Sequence, residues 1–296
     1  MFDLKNGSVR ENSKKKKPYS LIPITSVIKR SAIPDGALIM FPDDVLFCVT
    51  LRQLTLFCTM LPAGAFITCV ALAVSLHFEG STKTHCGVPN LLPSISAAIG
   101  DFTPERYIWR FCIGLHCFPR FMGAFVYKNF YLRSPLRPSE TLDEGRCMYV
   151  VLCWLVGLLH VGENTALLAL SFVSSTENHA FHEFSFICFV LFSQLYVILS
   201  LYMFRYSGRQ RASSQGHKSY QTKQTLFAVN VVALLASAYF FIRHNRYCEP
   251  GVYTIFALCE YIVVLSNIGF HATIAMDMSD RVLAITAAST VGLKEN

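Results

Sequence analysis

The chain has 296 residues, a formal net charge of +7 and few charged side chains for its length. Apolar residues make up 53% and charged residues only 15%, whereas a soluble domain carries about 25% charged residues. This composition excludes an ordinary soluble enzyme and indicates a protein that crosses a membrane several times.

Six stretches have the hydropathy of membrane-spanning helices, and each is near the roughly 20 apolar residues that a bilayer core requires. In chain order these stretches are 52–76, 106–127, 147–173, 184–204, 225–242 and 252–276. Because the connections between them are short, we expect one all-α, six-transmembrane helix bundle over residues 51–276. Residues 1–50 are polar, basic and broken by prolines, which predicts a disordered cytosolic tail. Residues 277–296 are expected to form a second cytosolic tail.

The positions of lysine and arginine predict the orientation of the bundle. Most of the 26 lysine and arginine residues fall in the two tails and in loops 128–146 and 205–224. The basic residues in loops on the opposite side are Lys83, Arg106, Arg243 and Arg246. The positive-inside rule therefore places both termini in the cytosol. The positive net charge then indicates that the cytosolic face binds anionic lipid, not nucleic acid.

Two of the 11 cysteines stand apart from the others by location. Cys86 and Cys248 lie in loops on the predicted luminal side, where disulfides persist in the secretory pathway. The other cysteines lie in or near spans, where cysteine behaves as a small hydrophobe. We therefore expect a Cys86–Cys248 bridge between the first luminal loop and the third.

The second span contains four ionisable residues in the segment RYIWRFCIGLHCFPR. At 100° per residue, Arg106, Arg110, His116 and Arg120 fit a sector of about 120°, so this helix is expected to turn one polar face inward. Arg106 and Arg120 are close enough to the two interfaces to reach them by snorkelling. His116 lies about 15 Å below Arg106, near the middle of the membrane.

The third and sixth spans carry further polar residues. His160, Glu163 and Asn164 share one face of the third span, and Glu260 lies in the sixth. Helical rise places both glutamates at about the depth of His116. Pairing of these charges holds a bundle together or builds a functional site, and the sequence leaves both explanations open. Intramembrane ionisable residues nevertheless favour function.

The predicted luminal loops contain several histidines, and HAFHE at 179–183 brings two of them close to a glutamate. HExxH is missing from the chain, and no span carries an HxxxH pair. We therefore expect neither a metal site nor a bound cofactor.

Motifs along most of the chain resemble one known family. HFEGSTKTHCGVPN, RYIWRFCIGLH, ENTALL, KSY and RHNRYCEPGVYTIFALCEY are similar, in this order, to the post-GPI-attachment-to-proteins factor 2 family within the Frag/DRAM/Sfk group. The resemblance runs from about residue 51 to residue 271. It implies a multi-pass protein of the Golgi membrane, and of the endoplasmic reticulum as a second location, that acts on GPI-anchored proteins and membrane lipid.

The resemblance also implies a reaction, the return of a saturated acyl chain to the sn-2 position of a lyso-GPI anchor. The reaction requires an acyl donor, either acyl-CoA or a phospholipid. We expect Arg106 and Arg110 to bind the inositol phosphate. We expect His116, oriented by Glu163, to act as general base toward the sn-2 hydroxyl. The further residues expected on the substrate side, including rival bases, are Asn164, Glu260, His85, His182 and His244.

Two other functional classes use similar residues. A non-catalytic subunit that presents lyso-GPI to a separate acyltransferase would keep the arginines and need no base. A proton-coupled transporter normally shows repeated halves or broken helices, and the sequence shows no internal repeat. Reacylation and lipid presentation are therefore the two hypotheses that the sequence favours.

Overall fold

A computed structural model describes residues 29–32, 38–41, 45–134 and 143–286. Its strands are β1 (Lys29–Ala32), β2 (Leu38–Phe41), β3 (Val45–Thr50) and β4 (Val282–Thr286). Its helices are α1 (Leu51–Leu76), α2 (Phe78–Thr82), α3 (Ile95–Gly100), α4 (Glu105–Leu132), α5 (Asp143–Phe172), α6 (His179–Tyr206), α7 (Arg209–Ala212), α8 (Ser214–Tyr247), α9 (Val252–Ala272) and α10 (Ile274–Asp277).

Five of the described helical stretches are long and apolar enough to cross a membrane. They comprise α1, α5, α6, α8, and α9 continued through α10. Five of the predicted spans fall on these stretches. The protein is therefore an all-α polytopic membrane protein with short accessory strands.

The predicted second span is also a helix, α4, but its composition differs from that of the other five. It has 28 residues, a length of about 42 Å at 1.5 Å per residue, which is enough to span a bilayer. Its arginines and histidine keep it outside the group of described helices that are apolar enough to cross a membrane. His116 and Arg120 are only 3% and 7% exposed, so this part of the polar face lies inside protein, as its helical spacing predicts.

The long helices pack largely in chain order: α1 contacts α4, α4 contacts α5, α5 contacts α6, and α8 contacts α9. One end of the bundle, called the tail end here, contains the starts of α1, α5 and α8 and the ends of α4, α6 and α9. There Leu51 donates its backbone N–H to the carbonyl of Arg281, and Arg209 donates to the carbonyl of Phe130. The opposite end, called the disulfide end, contains Cys86 and Cys248.

A buried ion pair closes the tail end of the bundle. The Lys223 ammonium lies 2.6 Å from the Asp277 carboxylate, and neither side chain is more than 1% exposed. Ser219 and Tyr127 donate their hydroxyls to the same carboxylate. The pair therefore connects α8, α4 and α10.

Residues 49–283 form one compact unit that contains every described helix. Inside the predicted tail 1–50, β1 pairs antiparallel with β2, with Lys29 opposite Phe41. The strand β3 of this tail pairs with β4, which lies in the predicted second tail 277–296. Residues 1–28, 33–37 and 42–44 lie outside the described residues, as do 287–296 of the second tail. The disorder expected in the tails therefore stays a prediction.

Candidate active site

An apolar cavity of about 100 Å³ lies inside the helix bundle. Most of its wall is aliphatic and aromatic, with Trp109 and Ile113 from α4 and Phe189 from α6 among the lining residues. Seven of its polar lining residues form two levels. Those nearer the disulfide end are Ser96, His182 and Glu260, and those deeper in the bundle are His116, Arg120, Asn267 and His271.

His116 is held by a backbone carbonyl that a proline leaves free. In an α-helix the carbonyl of Cys58 would accept the N–H of residue 62, but Pro62 has no N–H. His116 Nδ1 lies 2.7 Å from the Cys58 oxygen. Because a carbonyl only accepts hydrogen bonds, Nδ1 is the nitrogen that carries the proton. In the neutral ring, Nε2 is then a proton acceptor in the cavity wall.

Arg120 forms a buried charge cluster beside this histidine. Its Nη1 lies 3.5 Å from His116 Nε2, and its Nη2 lies 3.2 Å from Glu163 Oε2 and 2.6 Å from His271 Nε2. Glu163 Oε1 lies 3.0 Å from His271 Nε2 and accepts a hydrogen bond of 3.0 Å from Asn267 Nδ2. Glu163 is fully buried and His271 is 3% exposed. The cluster therefore joins α4, α5 and α9 through groups that lie largely out of contact with solvent.

Two details of the predicted geometry are wrong. Glu163 contacts Arg120, His271 and Asn267 instead of His116. The His116 ring is oriented by the Cys58 carbonyl. Arg120 does not snorkel to an interface, because Glu163 supplies an opposite charge within the bundle.

Asn164 and Glu260 both form hydrogen bonds with backbone groups. Asn164 Nδ2 donates to the carbonyl of Cys117 at 2.9 Å, which ties α5 to α4. Glu260 Oε2 accepts the N–H of Ile95 at 3.2 Å, at the start of α3. Of these two, only Glu260 lines the cavity.

His182 lies at the level nearer the disulfide end and contacts a serine. Its Nδ1 lies 2.8 Å from the carbonyl oxygen of Val173, which makes Nδ1 the protonated nitrogen. Its Nε2 is 3.1 Å from Ser96 Oγ and accepts the hydroxyl proton in this arrangement. His182 is therefore a second histidine with a proton-accepting nitrogen facing the cavity.

The predicted phosphate-binding arginines lie outside the cavity wall. Arg110 Nη2 is 2.6 Å from Glu177 Oε2, in the connection between α5 and α6. The pKa of the Glu177 carboxyl is held below its ordinary value, mainly by the hydrogen bond from the Ser174 N–H and secondly by the Arg110 guanidinium. Arg106 is half-buried and lies over the Tyr107 ring, 5.5 Å from its centroid.

His85 and His244 lie beside the Cys86–Cys248 disulfide, which joins α8 to the loop after α2. The two imidazole rings are 5.6 Å apart, and His244 is fully buried against Tyr253. Neither histidine lines the cavity.

Two groups of described residues bring potential metal ligands together: His85 with Cys86 and His244, and His160 with Glu163 and His271. In the first group the Cys86 sulfur belongs to the disulfide and is not a thiolate. In the second group the ligand atoms lie within 4.8 Å of one another, but Arg120 already lies 3.2 Å from Glu163. A divalent cation there would face a fixed positive charge at close range. The second donor set therefore fits an internal ion pair better than a metal.

The sequence did not assign Arg120, Asn267 and His271 to a common cluster. It placed Arg120 near an interface, and it placed Asn267 and His271 near the cytosolic end of the sixth span, as candidates for a path of the acyl group. Asn267 and His271 are four residues apart in α9 and therefore share a helix face. That spacing indicates a polar face on α9. A single sequence does not show that this face contacts Glu163 on another helix.

Comparison with known proteins identifies the family. Residues 51–281 match the domain described as Frag1/DRAM/Sfk1/Cwh43P N-terminal domain. "Post-GPI attachment to proteins factor 2" of Caenorhabditis briggsae is 44% identical over 83% of this chain and 92% of its own length. The Caenorhabditis elegans protein of the same name is 42% identical over 84% of this chain and 93% of its own.

"Acyltransferase PGAP2" of Xenopus tropicalis is 43% identical over 76% of this chain and 86% of its own length. No solved structure matches the chain. These matches cover most of the chain and all of its long helices. The chain belongs to the post-GPI attachment to proteins factor 2 family, within the wider Frag1/DRAM/Sfk1/Cwh43 group.

Proposed function

We propose that this protein remodels GPI anchors in the Golgi membrane by returning a saturated acyl chain to the sn-2 hydroxyl of a lyso-GPI anchor. The names of its relatives, which refer to post-GPI attachment and in some cases to an acyltransferase, support a role on GPI anchors and the reaction class. The observation that carries the proposal is an apolar cavity in which a proton-accepting His116 nitrogen lies beside Arg120.

The cluster contains the groups that acyl transfer to a hydroxyl requires. His116 Nε2 takes the proton of the sn-2 hydroxyl as its oxygen attacks the donor carbonyl carbon. Arg120 stabilises the negative charge that develops on the carbonyl oxygen. The new ester bond forms as the bond to the donor's leaving group breaks, and His116 returns the proton to that group. Glu163 and His271 hold the guanidinium in place.

The headgroup of the acceptor belongs at the disulfide end in this proposal. Arg106 and Arg110 bind the inositol phosphate, and Arg110 exchanges the Glu177 carboxylate for the phosphate. Ser96, His182 and Glu260 line the path between that headgroup and the deeper cluster.

The topology is part of the same proposal. α4 is the sixth span, with its polar face turned to the cavity, and both termini lie in the cytosol. The disulfide end then faces the Golgi lumen, the compartment where a Cys86–Cys248 bond persists.

Lipid analysis in cells tests this function. Cells that lack their own family member would express this chain, and mass spectrometry would identify the sn-2 chain of their GPI anchors. We expect the wild type and the exposed-site control His179→Gln to restore a saturated sn-2 chain, and His116→Gln to leave lyso-GPI. Full restoration by His116→Gln would exclude a catalytic role for His116. No restoration by correctly localised wild-type protein would refute the function.

A further inference from the structure

A second cavity, of about 80 Å³, lies toward the tail end of the bundle. Its lining is mostly apolar and comes from the first turns of α1, the second half of α4, and α10. Thr55 and Val126 lie in its wall, as does Met122, whose side chain is 50% exposed. The exposed methionine places one side of this cavity at the outer surface of the bundle.

The two cavities share one wall. Thr59, His116, Arg120 and His271 line both of them. Arg120 Nε and His271 Nδ1 are buried and have no hydrogen-bond partner among the described residues. The cluster is therefore reached from both halves of the bundle, and two of its polar atoms still lack a partner.

Exposed basic residues surround the tail end. They include Arg133, Arg205, Arg211, Lys218 and Arg281. Among the described residues at this end, the exposed carboxylate of Asp280 contacts Arg281 at 3.5 Å. A basic surface beside an apolar cavity fits an amphiphile with a long acyl chain and an anionic head.

We infer that the second cavity admits an acyl thioester donor whose anionic head lies on the basic tail end. The thioester group reaches His116 and Arg120, and the acyl chain leaves through the side of the cavity that is exposed at Met122. Donor and acceptor then reach His116 and Arg120 from opposite halves of the membrane. This inference rests on the proposed function and adds to it the class of the donor and the side from which the donor enters.

The reaction balances without a further reactant. The acceptor oxygen forms a bond to the acyl carbon, and the carbon–sulfur bond of the thioester breaks. The hydroxyl proton passes through His116 to the thiolate, which leaves as a free thiol at the tail end. The products are one ester and one thiol, and nothing is oxidised or reduced.

Vesicles with defined orientation test the side of entry. The purified full-length protein would be reconstituted with lysophosphatidylinositol, and protease protection of a terminal tag would report its orientation. Radiolabelled palmitoyl-CoA, which does not cross the bilayer, would be supplied to one face at a time. We expect product only when the thioester contacts the face that carries the termini. Equal transfer from the opposite face, or use of a labelled phospholipid while the thioester stays inert, would overturn the inference while leaving the proposed function intact.

Substitutions that fill one cavity at a time give the matched comparison. Thr55→Phe and Val126→Phe fill the second cavity, and Ile99→Phe fills the first. We expect the first two to raise the KM for palmitoyl-CoA about tenfold and to leave the KM for lysophosphatidylinositol nearly unchanged, and Ile99→Phe to do the reverse. A KM for palmitoyl-CoA that responds to Ile99→Phe alone would contradict the assignment.

Photolabelling keeps the inference separate from the activity. A palmitoyl-CoA with a diazirine in its acyl chain would be irradiated with the wild type, and the labelled residues would be mapped by mass spectrometry. Labels within 51–58 and 122–126 would support the assignment even if no product forms, in which case the proposed function alone has failed. Labels confined to the first cavity would refute it.

Discussion

Pro62 controls a histidine that is far from it in sequence. By withholding an N–H from the Cys58 carbonyl, it leaves that oxygen to His116 Nδ1 at 2.7 Å. The consequence is chemical as well as structural, because the occupied Nδ1 makes Nε2 the nitrogen that accepts a proton. A helix-interior proline is therefore a positioning residue for the proposed base.

Pro62→Ala tests this coupling. The new N–H competes with His116 for the Cys58 carbonyl, so we expect acyl transfer to fall about tenfold. The protein should melt at the wild-type temperature or above, because the helix gains a hydrogen bond. Nitrogen chemical shifts of labelled His116 would report the tautomer directly. An unchanged tautomer together with reduced transfer would show that Pro62 acts by another route.

Arg120 and Glu163 connect elements as well as forming a site. Their ion pair joins α4 to α5, and His271 brings in α9. Removal of one partner from a buried pair leaves an uncompensated charge, which destabilises by about 3–5 kcal/mol, whereas an apolar pair of similar volume is often tolerated. The two contributions of the cluster, to folding and to chemistry, can therefore be separated.

We expect Glu163→Gln to lower the melting temperature strongly and to abolish transfer. The double variant Arg120→Met with Glu163→Leu should recover most of the stability and none of the transfer. Thermal denaturation in detergent and the transfer assay would be run on the same preparations. Recovered transfer in the double variant would show that the charges serve folding alone.

The connection between α5 and α6 is tied to α4 by an exposed pair, Glu177 with Arg110. Because the folded protein lowers the pKa of the Glu177 carboxyl, this contact stabilises the connection above the ordinary carboxyl pKa of 4.5 and loses its effect as pH falls through the lowered value. Hydrogen exchange of residues 173–178 should be faster in Glu177→Gln than in the wild type at neutral pH. The difference should vanish in acid. A difference that persists at the lowest pH would contradict the ion pair as its cause.

At the scale of the whole molecule, the Cys86–Cys248 disulfide cross-links two positions that are 162 residues apart. A cross-link over so long a loop restricts the unfolded chain, and such bonds typically contribute about 2–4 kcal/mol. The variant Cys86→Ser with Cys248→Ser should melt at a lower temperature than the wild type. A reducing agent should lower the melting temperature of the wild type to the same value. Cys147→Ser, at an exposed free cysteine, is the matched control and should leave the melting temperature unchanged. Equal melting of all three proteins would contradict a stabilising bond.

Composition and periodicity predict the long helices of this molecule, because apolar length and helical spacing are local properties of a chain. They also place His116 and Arg120 on an inward face. The pairing of Glu163 with Arg120 and His271 is not local, since it depends on how α4, α5 and α9 pack. The contribution of Pro62 was equally hidden, because the freed carbonyl gains meaning only when another helix brings a histidine to it.

The proposed acyl transfer is tested most directly with purified protein in lipid vesicles, supplied with lysophosphatidylinositol and a labelled acyl donor. We expect acyl transfer by the wild type, loss of transfer in His116→Gln and retention in the exposed-site control His179→Gln. His182→Gln separates the two candidate bases and should reduce transfer far less than His116→Gln. Binding of lysophosphatidylinositol without transfer from any donor would contradict the proposed function and would make this protein a lipid-presenting subunit.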